Sequence, residues 1–215
     1  LERNLVDKGN VENLNLIKKT ILKPGTVSFV RQQSPLGLGH AVWCARNFIS
    51  DEPVAVILAD DLIAGKPGCM KQMIENWDGG NMVASMVVEN KHTCSYGIIS
   101  PGEIIQNKIE VRDIIEKPNP KNAPSNIAVV GRYIIEPSVF EDLAYQKKGT
   151  NNEIQLTDSL SSQIGKAPFY AYNFIGTRYD CGTKIGFTKA NTNFALKDDR
   201  IGKEYNDWLS SLLKN

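Results

Sequence analysis

Two histidines and four cysteines are all that this 215-residue sequence offers of the side chains that most often hold transition metals. Cys44, Cys69, Cys94 and Cys181 contain no C-x-x-C pair, and His40 and His92 stand apart, so the ligand spacing of a structural zinc site is missing. The four thiols are expected to be buried and reduced. The same scarcity leaves few general bases for a Ser–His or Cys–His hydrolase, and no G-x-S-x-G elbow occurs. No apolar run approaches the roughly 18 residues that would span a bilayer, and the opening LERNLVDKGNVE lacks the basic-then-apolar order of a secretion signal. A cytoplasmic location is expected. Charge of neither sign is in excess: 25 Lys and Arg stand against 24 Asp and Glu, a net +1 that provides no field for nucleic acid or an anionic membrane. A small-molecule partner is therefore expected. Repeats and low-complexity linkers are absent too, so the reading is one domain over residues 1–215, ending in a helical tail over 197–215, with 41% hydrophobic residues to fill one core.

What is present alternates. Thr26–Val30 reads as a short strand, and Gly37–Phe48 carries helical spacing through Leu38, Val42 and Ala45. Val54–Leu58 (VAVIL) is apolar at every position, as a parallel strand covered on both faces would be. A helix from Lys66 to about Trp77 and a buried strand over Met82–Val88 follow, a pitch that predicts a doubly wound α/β sheet. From Tyr96 onward, isoleucine and valine pairs separated by Pro, Gly and Asn predict hairpins or a mixed sheet, including a strand over Ile127–Ile135. Helices over Pro137–Leu143 and Glu153–Ile164, a strand over Phe169–Phe174, and helices over Lys184–Leu196 and Tyr205–Leu213 complete the reading. His40 reads as a helix-start residue, and Trp43, Trp77 and Trp208 read as packing anchors.

In an open α/β sheet, ligands bind outside the carboxyl ends of the strands. Three loops there carry unusual residues. In QQSPLGLGHA, Gly37 and Gly39 sit where a strand turns into a helix; they serve either a tight turn needing positive φ or the close approach of a ligand to the backbone. Gln32 beside them offers a donor and an acceptor together, which suits a nucleobase edge. Asp60 and Asp61 end VAVILAD, and adjacent carboxylates at a strand end either cap a turn or present one oxygen ligand to Mg²⁺. Only one of them can point into the crevice, because neighbours alternate faces. Asp180 in RYDCG is a candidate to complete that metal site. Glu116 and Lys117 in IIEKP are an exposed ion pair before a proline, or a carboxylate for sugar hydroxyls beside an ammonium for a phosphate.

The segments VRQQSPLGLGHAV, AVILADDLI, YGIIS, IIEKPNPKNAPSNIAVVGRYII, NEIQLTDSL and RYDCGTKIGFTKANTNFAL occur in this order from about Phe29 to Leu196. In them the chain closely resembles the bacterial UTP–glucose-1-phosphate uridylyltransferases, which are sugar nucleotidyltransferases. The resemblance implies an α/β, Rossmann-like open mixed sheet flanked by helices, of the nucleotide-diphospho-sugar transferase type and truncated at the N-terminus. It implies that UTP and glucose 1-phosphate are converted to UDP-glucose and pyrophosphate, with Mg as cofactor. By the same resemblance Gln32 reads the uracil edge and Gly37 supports the base, Asp60 binds Mg²⁺ with Asp180 as partner, and Gly97 packs against the sugar. Glu116 and Lys117 hold glucose hydroxyls and the sugar phosphate, while Val129 to Gly131 line the sugar pocket. Asp60, Lys117 and Asp180 are the catalytic candidates. The helix opening at NEIQLTD borders the sugar site, with Glu153 and Asp158 read as dipole-favoured acids and not as catalytic groups.

The family's Gly-rich phosphate loop, G-x-G-T-R-x-x-P with a Lys shortly after, has no counterpart from Leu1 onward. The expectation is that this chain alone is weak or inactive, and that it is a homo-oligomer or is completed by a chain carrying the first strands. The alternatives are a non-catalytic subunit that keeps a UDP-sugar pocket, another sugar-1-phosphate nucleotidyltransferase, and a glycosyltransferase, whose D-x-D the sequence lacks.

Overall fold

The computed structural model describes residues 1–212 and divides into two compact units, Leu1–Gln33 and Ser34 onward. The first unit holds α1 (Glu2–Asp7) and α2 (Val11–Thr20). The Asn10 side chain caps α2 by accepting the Asn13 N–H at 3.1 Å. Thr26–Val30 is not a strand but irregular backbone, with Phe29 92% exposed. Its β-rich composition is a preference only, and a strand exists only where a neighbouring ladder takes its hydrogen bonds.

The second unit runs through α3 (Leu38–Cys44), β1 (Val54–Ile57), β2 (Asp61–Ala64), α4 (Cys69–Glu75), β3 (Asn81–Val87), β4 (Gly97–Ile105), β5 (Lys108–Glu116) and β6 (Ile127–Ile135). It continues with α5 (Ser138–Leu143), α6 (Leu156–Ser161), β7 (Phe169–Asn173), β8 (Thr177–Asp180), α7 (Lys184–Leu196) and α8 (Gly202–Leu212). Among the described residues a six-stranded sheet has the order β1-β6-β3-β7-β5-β4, and β2 pairs with β8 in a separate ribbon. Only the β3–β7 pairing is parallel, so the sheet is mixed and mostly antiparallel. The doubly wound parallel arrangement expected from the spacing of the first elements is corrected accordingly.

Alternation along the central strands divides the core between the sheet's two faces. Val83 on β3 and Val129 and Tyr133 on β6 join Val42 of α3, Leu143 of α5 and Leu156 and Leu160 of α6 on one face. Met82, Ala84, Val130 and Ile134 join Cys69 and Met73 of α4 on the other. β3 is buried from Asn81 to Ser85 because β6 and β7 flank it and both faces are covered. Each large side chain sequestered this way contributes on the order of 1.5–3 kcal/mol.

VAVIL behaves differently from expectation. β1 lies at the edge of the sheet with alternate residues outward, leaving Ile57 57% exposed. A uniformly apolar run does not distinguish a covered strand from an edge strand with one bare face. The expected buried thiols are corrected as well: Cys69 is buried, Cys44 and Cys181 are half-buried and Cys94 is exposed, all four free. Trp77 anchors its Nε1–H on the Gly80 carbonyl at 2.8 Å, but Trp208 is exposed, its ring tilted 38° against Tyr205 at 5.6 Å. Of the last predicted helix, Leu213 lies outside the described residues.

Candidate active site

The β2–β8 ribbon sits beside the end of β1 and carries the acids. Its antiparallel register places Asp61 opposite Asp180 and Ile63 opposite Arg178, so Asp61, Arg178 and Asp180 share one face of the ribbon. Two like charges directly across a ladder repel. Arg178 resolves this by lying diagonally between them: its guanidinium pairs with the Asp61 carboxylate and stands 3.7 Å from Asp180 Oδ2. Asp61 is 6% exposed and also accepts the Gly131 N–H at 2.6 Å. Arg178 donates to the Tyr96 hydroxyl at 3.0 Å. Burial works against the Arg178 charge, but Asp61 and Tyr96 outweigh it and hold the guanidinium above its ordinary pKa.

Asp60, one residue earlier, is exposed. Its carbonyl accepts the Cys181 N–H at 2.7 Å, which ties it to the end of β8. A Cβ placed on Gly182 would stand 3.2 Å from Asp180 Oδ1 and 3.3 Å from Asp60 Oδ2, so both carboxylates border the same small space. The turn between β1 and β2 is pinned from below, where Arg132 donates to the carbonyls of Leu58 at 3.1 Å, Gly131 at 2.7 Å and Asp61 at 2.5 Å. Of the two adjacent acids, Asp61 is committed to Arg178 and Asp60 is open.

Two further elements build the other wall. β4 and β5 pair so that Gly97 lies opposite Glu116. A Cβ on Gly97 would come within 3.2 Å of Glu116 Oε2 and 3.3 Å of the Thr157 methyl, so glycine keeps this floor open. Lys117 follows with φ +48, a conformation that side chains rarely adopt, and its N–H donates to the Tyr96 carbonyl at 3.0 Å. Its Nζ stands 3.5 Å from Glu116 Oε1. Thr157 Oγ1 donates to Glu116 Oε2 at 2.8 Å.

All of these surround one cavity of about 350 Å³, lined by Asp60, Asp61, Tyr96, Gly97, Glu116, Lys117, Val129, Gly131, Tyr133, Glu153, Gln155, Thr157, Arg178 and Asp180. The predicted residues Asp60, Gly97, Glu116, Lys117, Val129, Gly131 and Asp180 are thus brought together. Gly131 is required for packing: a Cβ there would lie 2.7 Å from both Asp61 Oδ2 and Leu58 Cβ. Gly37 does not line this cavity. It caps α3 with φ +107, and its Cα faces the Ile154 carbonyl so closely that a Cβ would fall 2.7 Å from it. Gln32 belongs to the first unit. Burial and the charges of Asp61 and Glu116 push the Tyr133 hydroxyl well above its ordinary range, so this hydroxyl stays neutral.

Tyr96, Glu153, Gln155, Thr157 and Arg178 line the cavity without having been singled out as its ligands. The signal for three of them was alternation: in E-I-Q-L-T, Glu153, Gln155 and Thr157 face the cavity while Ile154 and Leu156 enter the core. The same period of two sets Arg178 and Asp180 on one face of β8.

The donor set suits Mg²⁺, a hard cation that binds through one or two carboxylates while keeping waters and phosphate oxygens as its other ligands. Asp60 and Asp180 supply that number, and Asp60 carries no competing ion pair among the described residues.

Comparison with known proteins agrees with this architecture. Residues 8–196 match the family described as Nucleotidyl transferase. A UTP–glucose-1-phosphate uridylyltransferase of Staphylococcus saprophyticus is 39% identical over 216 residues, covering all of this chain and 75% of that protein. One from Bacillus subtilis is 38% identical, covering 99% of this chain and 73% of its own length. The structure of a UDP-glucose pyrophosphorylase complexed with UDP-glucose superposes with a TM-score of 0.81 at 39% identity, over 92% of this chain and 78% of that one. A UTP-bound enzyme from Acinetobacter baumannii gives a TM-score of 0.87 at 30% identity, over 98% of this chain and 74% of its own. The fold is that of a nucleotidyl transferase. Within that class, the chain belongs to the UTP–glucose-1-phosphate uridylyltransferase family.

Proposed function

We propose that this chain carries the uridylyl-transfer site that joins UTP and glucose 1-phosphate into UDP-glucose, releasing pyrophosphate. A phosphate oxygen of glucose 1-phosphate attacks the α-phosphorus of UTP, and the bond to the β-phosphate breaks with its electron pair leaving on pyrophosphate. No side chain acts as nucleophile; the site contributes position and charge. The reading rests on one observation, the convergence of Asp60 and Asp180 with Glu116 and Lys117 on a single cavity.

In this reading the Lys117 ammonium neutralises the sugar phosphate, and the Glu116 carboxylate accepts hydroxyl hydrogens of the hexose. Gly97, Val129 and Gly131 form the floor. Asp60 and Asp180 hold magnesium, which when bound supplies positive charge to phosphate oxygens as negative charge builds on them. Arg178 keeps Asp61 neutralised, so that Asp180 faces the cavity without an uncompensated neighbour. Gln32 and Gly37 are assigned to the uracil by family resemblance.

Calorimetric titration with UDP-glucose and MgCl₂ tests the reading. Binding is expected to weaken on the order of a hundred-fold in Lys117→Ala, where a charge-assisted contact is lost. In Asp60→Ala the gain in affinity conferred by MgCl₂ should shrink while metal-free binding stays near that of the parent. Unchanged magnesium dependence in Asp60→Ala would remove Asp60 from the metal site.

A further inference from the structure

Glu116 is a largely sequestered acid of the cavity, and its orientation depends on few partners. Its side chain is 11% exposed at the end of β5. Lys117 Nζ, at 3.5 Å from Oε1, is beyond an ordinary N–H···O hydrogen bond. Gly97 across the ladder offers no side chain, and Asp158, on the same helix as Thr157, adds a negative charge whose pKa Glu116 helps to raise. The Thr157 hydroxyl, at 2.8 Å from Oε2, is the side-chain hydrogen bond to this carboxylate among the described residues.

We propose that Thr157 is a positioning residue for Glu116, and that its hydroxyl fixes which pattern of sugar hydroxyls the cavity accepts. The inference rests on the reading that Glu116 meets the hexose. Thr157 suits the role because it is itself fixed. It sits in the first turn of α6 beside Leu156, which is buried in the core, and its branched side chain is stiff about χ1. One hydrogen bond to Oε2 sets the plane of the carboxylate and leaves its remaining lone pairs for ligand hydroxyls. Without that bond the carboxylate is free to turn toward the Lys117 ammonium. Both groups would then satisfy each other, and the directionality with which a hydroxyl is read would be lost.

Thr157→Val keeps the shape and deletes the donor; Thr157→Ser keeps the donor and deletes the methyl; Thr157→Ala serves as a second donor-less variant should valine prevent folding. Each is titrated calorimetrically with UDP-glucose, its C4 epimer UDP-galactose, and UDP, with MgCl₂. The parent is expected to prefer UDP-glucose over UDP-galactose. Loss of a hydrogen bond to a charged group predicts that Thr157→Val weakens UDP-glucose on the order of ten-fold or more, narrowing that preference. UDP affinity should stay within about two-fold, and Thr157→Ser should behave like the parent. An unchanged preference in the donor-less variants, an equal loss for UDP, or a serine variant as impaired as valine would each overturn the inference. A parent chain that does not bind UDP-glucose would instead overturn the functional reading beneath it.

Discussion

Asp61 and Arg178 cannot be removed one at a time without leaving a charge in a place that water hardly reaches. Arg178 makes three separate contacts, to Asp61, Asp180 and Tyr96, and Asp61 holds both the guanidinium and the Gly131 amide. Asp61→Ala is therefore expected to destabilise the chain by about 3–5 kcal/mol in urea unfolding, while Asp61→Leu combined with Arg178→Met recovers a large part of that loss. A double variant as unstable as the single one would show that the charges themselves are needed for folding. Asp158 is the opposite case. Partial burial, then the charges of Glu116 and Asp142, raise its pKa above 3.8. A carboxyl whose folded pKa is raised contributes stability in full below its unfolded value and loses it as pH rises through the folded one. Asp158→Asn should accordingly raise the melting temperature at pH 7, with the gain fading as pH falls toward 3.8. A gain that persists unchanged at low pH would assign the effect to something other than charge.

Individual elements were legible in the sequence to differing degrees, and the pattern of success has a physical basis. α7 is found over the expected residues, and β3, β6 and β7 lie within a residue or two of expectation, because covered strands and long helices write their burial directly into composition. The β2–β8 ribbon was not legible. Its two strands are four residues each, and their pairing joins segments far apart in the chain, which no local pattern encodes. Site residues divide the same way. Asp60, Glu116, Lys117 and Asp180 stand out as charges at strand ends, whereas Arg178 and Thr157 become meaningful only once the ribbon and α6 put them beside Asp61 and Glu116. The Gly37 turn was legible as a turn, and its necessity is testable. Gly37→Ala combines φ +107 with a Cβ pressed against the Ile154 carbonyl, so a loss on the order of 1–3 kcal/mol is expected in thermal unfolding.

At the scale of the whole molecule, the sheet of the second unit is asymmetric in its protection. Its central strands β6 and β3 are covered on both faces, while β1 at one edge presents Val54–Ile57 without a single charged side chain. Natural edge strands are commonly guarded by lysine or proline against pairing with other chains. Ile57→Lys should lower the rate of aggregation on heating and leave the melting temperature within a degree or so, because the side chain is already exposed. A matching fall in melting temperature would mean that Ile57 supports the fold itself.

The ribbon that carries the acids also says something about time. The bond from Arg178 to Asp61 spans 117 positions of the chain, and the ladder between β2 and β8 closes a loop holding nearly all of the central sheet. Contacts between such distant residues bear the largest loop-closure entropy and form late. Asp61 and Asp180 are then brought face to face only after the sheet exists, and they come apart first as denaturant rises. In hydrogen exchange, amides of Asp61–Ala64 and Thr177–Asp180 should open well before those of β3 and β6, so that ligand binding fades at urea concentrations where the bulk of the chain is still folded.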